Sequence, residues 1–118
     1  MYKPFGTIPV AHPERLYDGE GILTLTDLLS KEELKGAGRR VGIMTLPPNT
    51  SIGFHKHNGE FEAYYVISGL GKYLDNDQEY LIKPGDFTLC KDGDSHGVLN
   101  AGEEELRLFI VILNTIPE

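Results

Sequence analysis

From residue 41 onward, short runs of β-branched, aromatic and aliphatic residues alternate with turn-forming residues at near-regular spacing. The runs cover 41–46, 53–57, 61–67, 71–74, 80–82, 87–90, 97–99 and 106–113. Between them stand Pro47-Pro48-Asn49, Asn58-Gly59, Ser68-Gly69, Asp75-Asn76-Asp77, Pro84-Gly85, Asp92-Gly93 and Ala101-Gly102. About eight short strands at this spacing predict an all-β sandwich or jelly roll. Pro48 followed by Asn49 suits a type II turn, whose second central residue needs a positive φ.

The last run departs from simple alternation. Leu106, Leu108, Ile110 and Ile112 lie on one parity; Arg107, Phe109, Val111 and Leu113 lie on the other. A half-exposed strand alternates apolar and polar residues. Here one face is expected to fill the barrel. The other needs cover, from the N-terminal segment or from a second subunit. The first forty residues read differently. Ser30-Lys31-Glu32-Glu33 is a capping-box pattern and Gly36 a stop, which predict one short helical turn. Residues 22–25 read as a short strand whose aliphatic side chains suit a subunit interface. The chain is expected to be one domain: an N-terminal segment, 1–40, packed on the barrel or on a partner subunit, and the barrel itself, 41–118.

Composition changes this picture little. A chain of 118 residues with 40% hydrophobic and 25% charged residues is an ordinary globular domain. A formal net charge of −7 argues against a nucleic-acid partner, which needs a basic face. The longest apolar run is too short to span a bilayer, so no membrane partner is expected. With one cysteine there is no internal disulfide, and the start of the chain lacks a signal-peptide pattern; a cytoplasmic protein is expected.

The chemistry concentrates in four residues. His55 and His57 are two apart, a spacing that puts both side chains on one face of a strand. Asn58-Gly59 predicts a tight reversal, which would return Glu62 on the neighbouring strand opposite them. If His96 comes back beside the pair, three imidazoles and one carboxylate converge. That donor set suits a divalent transition metal, and four protein ligands leave positions open on a six-coordinate ion. Glu60 is a candidate acid/base group, but its place beside the turn is that of a solvated rim residue. Tyr64 faces inward by strand parity, as a pocket donor or as a plain core tyrosine. Arg39 or Arg40 could meet a carboxylate ligand; a solvated pair flanking a strand is the plainer reading. Asn100 is expected to satisfy a turn, Cys90 to be a small buried hydrophobe, and His12 to be exposed.

These spacings resemble the two motifs of the cupin superfamily. The first reads Gly, five residues, His-x-His, three or four residues, Glu, six residues, Gly; this chain has Asn49, His55-Lys56-His57, Glu62 and Gly69 in that register. The second reads Gly, five residues, Pro-x-Gly, two residues, His, three residues, Asn; this chain has Gly85, Lys91-Asp92-Gly93, His96 and Asn100. Asn49 and Lys91 replace a glycine and a proline, and no ligand position is lost. The resemblance implies a jelly-roll (double-stranded β-helix) barrel and a metal (Mn, Fe, Ni or Zn) held by His55, His57, Glu62 and His96. It also implies a homodimer and a small-molecule ligand, carboxylate or sugar-like. The resemblance implies a metal-dependent enzyme of the lyase or decarboxylase, dioxygenase or isomerase type, a group that includes manganese proteins resembling oxalate decarboxylase. A non-catalytic, metal-assisted binding or sensing module is the alternative.

Overall fold

In a computed structural model of the chain, residues 1–116 are described; the last two residues of the expected barrel segment lie outside them. In chain order the elements are β1 (Val10–Ala11), β2 (Thr24–Asp27), α1 (Lys31–Leu34), β3 (Gly38–Leu46), β4 (Ser51–Lys56), β5 (Glu60–Ser68), β6 (Gly71–Asp75), β7 (Gln78–Ile82), β8 (Phe87–Cys90), β9 (Ser95–Asn100) and β10 (Leu106–Asn114). A single 3-10 turn, Leu16–Asp18, lies between β1 and β2. The strands form two antiparallel sheets. One has the order β1-β2-β3-β10-β5-β8, the other β4-β9-β6-β7. Their inner faces pack together as a jelly roll.

Alternation sets the core. Along β10, Leu106, Leu108, Ile110 and Ile112 are at most 3% exposed. Their neighbours Arg107, Phe109, Val111 and Leu113 face outward and are half-buried. Leu46 and Val66 from the neighbouring strands β3 and β5, and Val98 and Tyr73 from the facing sheet, complete the interior. Leu23 and Leu25 join this same core, buried against the chain's own barrel, which corrects the expectation that they serve a subunit interface. The strand there is Thr24–Asp27, two residues later than the pattern 22–25 indicated, because β2 continues along β3 as far as Asp27–Gly42.

α1 is the expected helical turn. Ser30 accepts from the Glu33 N–H and the Glu33 carboxylate accepts from the Ser30 N–H, closing the capping box. Asn49 takes φ 65°, as the Pro48-Asn49 turn requires. No helix of the described residues is long and apolar enough to cross a membrane.

The reversal at Asn58-Gly59 differs from expectation. β4 pairs with β9, whereas β5 pairs with β10 and β8, so this turn carries the chain from one sheet to the other. A two-residue type I′ hairpin needs positive φ at both central residues. Only Gly59 adopts it, at 76°. Glu62 therefore faces the histidines across the barrel and is not beside them in one sheet.

Candidate metal centre

Each ligand candidate is placed by a different device. His55 lies near the end of β4, directly opposite His96 on β9. Between Ile52 and His55 the β4–β9 register shifts, giving β4 one extra residue around Gly53. The bulge brings Gly53 against Tyr17: a Cβ there would lie 1.8 Å from the Tyr17 carbonyl oxygen, so only glycine fits. His57 sits one residue past the end of β4, not within the strand as the pattern 53–57 indicated. The turn before β9 holds it there: the His57 N–H donates to Asp94 O, and the Gly93 N–H donates to His57 O. Glu62 comes from β5, on the inner parity it shares with Tyr64 and Val66.

All four candidate donor atoms lie within 4.8 Å of one another. His57 Nε2 is 3.1 Å from His55 Nε2 and 3.1 Å from His96 Nε2. Glu62 Oε1 is 3.0 Å from His57 Nε2, 2.8 Å from His96 Nε2 and 3.9 Å from His55 Nε2. Adjacent donors on an octahedral ion with bonds of about 2.1 Å are roughly 3.0 Å apart. Four of the five separations match that edge.

The other nitrogen of every imidazole is already committed. His55 Nδ1–H donates to Gly53 O at 2.7 Å and His57 Nδ1–H to Glu60 Oε2 at 2.6 Å, and His96 Nδ1 shares a hydrogen bond of 2.8 Å with the Tyr73 hydroxyl. The carbonyl and carboxylate acceptors fix the Nδ1–H tautomer of His55 and His57, and His96 takes the same tautomer when the Tyr73 hydroxyl accepts. Each ring then turns an Nε2 lone pair toward one point, where Glu62 adds a carboxylate oxygen. Four acceptors facing one another are mutually repulsive until a cation or protons stand between them. The donor set and its spacing therefore fit a divalent metal ion.

The electrostatics follow from these contacts. In the metal-free chain, protons on the Nε2 atoms take the cation's place: burial alone would raise the Glu62 carboxyl, but hydrogen bonds from the imidazoles that carry them outweigh it and hold the group well below the usual carboxylate range. The Glu62 hydrogen bond, opposed by burial and reinforced by Glu60, raises His57. His96 moves the other way, because burial outweighs its bond to Glu62. The Arg39 guanidinium, followed by His57, draws the Glu60 carboxyl down. Burial pushes the Tyr64 phenol well up, so it stays protonated; its hydroxyl donates to Glu62 Oε1 at 3.3 Å.

Glu60 is not the solvated rim residue its position suggested. It binds His57 Nδ1, and it takes a two-pronged bond from Arg39, with Nη2 at 2.8 Å and Nε at 3.2 Å. Arg39 is accordingly not a merely solvated residue. β3 contains a bulge at Arg39: Ile112 pairs with Arg40 and Leu113 with Gly38. The extra residue re-aims the Arg39 side chain toward Glu60, a displacement that no local pattern announces. Sequence reasoning also missed Tyr17 and Tyr73. Tyr17 stacks on His55 with ring centroids 3.7 Å apart and planes within 7°. Its segment carried no periodic signal. Tyr73 shares an inward parity with Gly71, and strand parity would have found it. Asn100 satisfies its turn, bonding Leu46 O, Glu104 O and Gly102 N–H. Cys90 is fully buried, its thiol pushed up to about 12 by burial. His12 is exposed, as expected.

A two-sheet jelly roll with this cluster at its mouth is a cupin architecture. The family model described as Cupin domain matches residues 42–112, and the chain belongs to that family. It is 40% identical over 104 residues, 86% of each chain, to the oxalate-binding protein of Thermotoga maritima. A crystal structure from the same organism, described as a predicted oxalate decarboxylase, superposes with a TM-score of 0.92 at 36% identity, over 98% of this chain and 100% of that one. A Cupin 2 conserved barrel domain protein from Salinispora arenicola shares the fold, with a TM-score of 0.74 at 17% identity over 98% of this chain and 89% of that one.

Proposed function

We propose that this chain holds one divalent transition metal ion (Mn, Fe, Ni or Zn) through His55, His57, Glu62 and His96. We propose further that it binds a small carboxylate of the oxalate class on that ion. The observation that carries the reading is the convergence of three Nε2 lone pairs and one carboxylate oxygen while all three Nδ1 atoms are tied elsewhere. Bound there, the ion would supply Lewis acidity and positive charge for an anionic ligand. The relative named for oxalate binding supports the ligand class.

Binding without turnover is the reading the surroundings favour. A general acid or base needs a free titratable group within reach of the ligand. Glu60 is engaged by both Arg39 and His57 and is not free. Tyr64, buried and protonated, supports a second reading as a lyase of the decarboxylase type, in which its phenol is the proton donor. The chain acts as a homodimer in a reducing cytoplasm. The outward apolar row of β10 is the surface that needs a partner, and the lone cysteine is a buried, unreactive thiol.

Elemental analysis after metal reloading should find about one ion per chain. Oxalate should then raise the melting temperature of the loaded protein more than that of the stripped protein. Equal stabilisation of both forms would remove the metal from the mechanism. Carbon dioxide release from loaded protein and oxalate separates the lyase from the binder.

A further inference from the structure

On the side of His55 and Glu62 that Leu16 and Tyr17 cover, the candidate metal site has almost no room. The cavity between Glu62, His55, Tyr64 and the segment carrying Leu16 and Tyr17 measures about 10 Å3. That is space for about one water molecule. Behind Leu16 lies a second, open pocket of about 330 Å3, lined by Ala11, His12, Pro13, Leu16, Leu25, Arg40 and Met44. The two spaces share Leu16, Arg40 and Met44 as a common wall.

Arg40 is the unusual member of that wall. It shares inward parity with Gly42, Met44 and Leu46, so β3 aims a guanidinium stem at the barrel mouth. Its Nε is buried and has no hydrogen-bond partner among the described residues, while the side chain is 26% exposed and the Asp27 carboxylate, 3.9 Å away, is in ion-pair range but beyond a hydrogen bond. Asp27 leaves the donors of the guanidinium fork unfilled, and a two-oxygen anion is their natural complement. Among the described residues no acidic side chain lines the outer pocket itself, in a chain of net charge −7, although the Asp27 carboxylate stands beside Arg40. The segment separating the two spaces is also strained. Arg15, Tyr17 and Asp18 adopt φ of 50°, 52° and 62°, each a left-handed conformation that side chains other than glycine disfavour. Contacts at Gly53 and the stack on His55 hold the segment in place. Releasing it would relieve that strain, which lowers the cost of opening.

We propose that the outer pocket is a second, metal-independent binding site for a small carboxylate, held on Arg40, and that Leu16 and Tyr17 give way to pass this ligand to the metal chamber. The passage rests on the proposed metal function; the outer site does not. Oxalate is the probe, titrated calorimetrically into the full chain with and without metal. Metal-stripped wild type should bind oxalate weakly, and Arg40→Met should lose at least tenfold of that affinity. Arg40→Lys, which keeps the charge but not the fork, should fall between them. Metal content should stay unchanged in both variants. In stopped-flow mixing, Leu16→Ala should speed oxalate association with the loaded protein about tenfold. If stripped wild type and folded Arg40→Met bind oxalate equally, or neither binds it, the outer site is overturned. Loss of metal in Arg40→Met would also overturn it, by making Arg40 a support of the chamber. An unchanged association rate in Leu16→Ala overturns the passage. Arg40-dependent binding to the stripped chain, with none to the metal of the loaded chain, would instead sink the proposed metal function and leave the outer site standing.

Discussion

The two ends of the barrel interior are built from different materials. At the floor, Leu46, Val66, Leu106 and Leu108 are fully buried and contribute no polar side-chain atom. At the mouth, His57, Glu62 and His96 are nearly as buried, at 2%, 5% and 0% exposure, and each is fixed by hydrogen bonds. The same strands serve both ends: on β5, Val66 faces the floor and Glu62 the mouth. Alternation alone positions the floor. The mouth needs bulges at Arg39 and Gly53, a crossover at Gly59 and a strained strap over His55. Stability should therefore depend on the floor, and ligand chemistry on the mouth, with little exchange between them.

Breaking the floor is the largest test of that division. Leu108→Ala should cost about 3 kcal/mol of unfolding free energy, the lost transfer energy plus a cavity. Denaturant titration reads it. The folded fraction should still take up one metal ion per chain. If metal uptake is lost while the fold survives, floor and mouth are coupled and the division fails.

At the mouth, Glu62→Gln should lower metal affinity by at least a hundredfold, since it removes the one anionic donor. Glu60→Gln should lower it less, by about ten- to a hundredfold, the usual effect of losing a partner that orients a ligand imidazole. Competition with a chelator measures both. A larger effect for Glu60 than for Glu62 would show that Glu60 is itself a ligand.

The two ends also differed in how far the sequence exposed them. Period-two alternation gives the two rows of the last strand but not which of them, Leu106 and Leu108 or Phe109 and Val111, faces the floor, because both are apolar; all four candidate ligands follow from motif spacing, because spacing reports register. The partners of those ligands did not follow. Arg39 reaches Glu60 through a bulge whose extra residue has no sequence signature, and Tyr17 reaches His55 from an aperiodic turn. The Asn58-Gly59 pair looked like a hairpin, because local turn chemistry does not reveal which sheet the next strand joins. Leu23 and Leu25 suit a subunit interface by local pattern, because their burial depends on β2 pairing with β3 across the capped helical turn, which no local pattern reports.

A subtler test of the mouth is its pH response. His57 is raised above its ordinary value of about 6.5 by Glu62 and Glu60. Its protonated form stabilises the metal-free fold below that unfolded value. The contribution is lost as pH rises through the raised folded value. A metal needs Nε2 free of its proton, so the ion gains affinity over the same interval. The gap in melting temperature between loaded and stripped protein should therefore widen as pH rises through the raised His57 value. A gap that is flat across that window would mean that His57 is not a ligand.

The smallest expected effect on the monomer lies outside both ends. Val111 stands on β10 between Val41 on β3 and Ala63 on β5, on the outward face of the six-stranded sheet. Phe109 and Leu113 flank it on the same parity. Val111→Lys should change the unfolding free energy of the isolated chain by no more than about 0.5 kcal/mol, as surface substitutions usually do, because a lysine there can extend into solvent. In a dimer that buries this face, the same change places an unpaired charge in an apolar interface and should drive light scattering from dimer to monomer mass. Metal content should not move, since the inward row of β10 and Glu62 on β5 remain untouched. If the wild type is already monomeric at micromolar concentration, this face is not a subunit interface. If the lysine variant dimerises as the wild type does, the partner sits elsewhere, and the open edges at β7 and β8, where Leu81 and Phe87 are exposed, become the next surface to mutate.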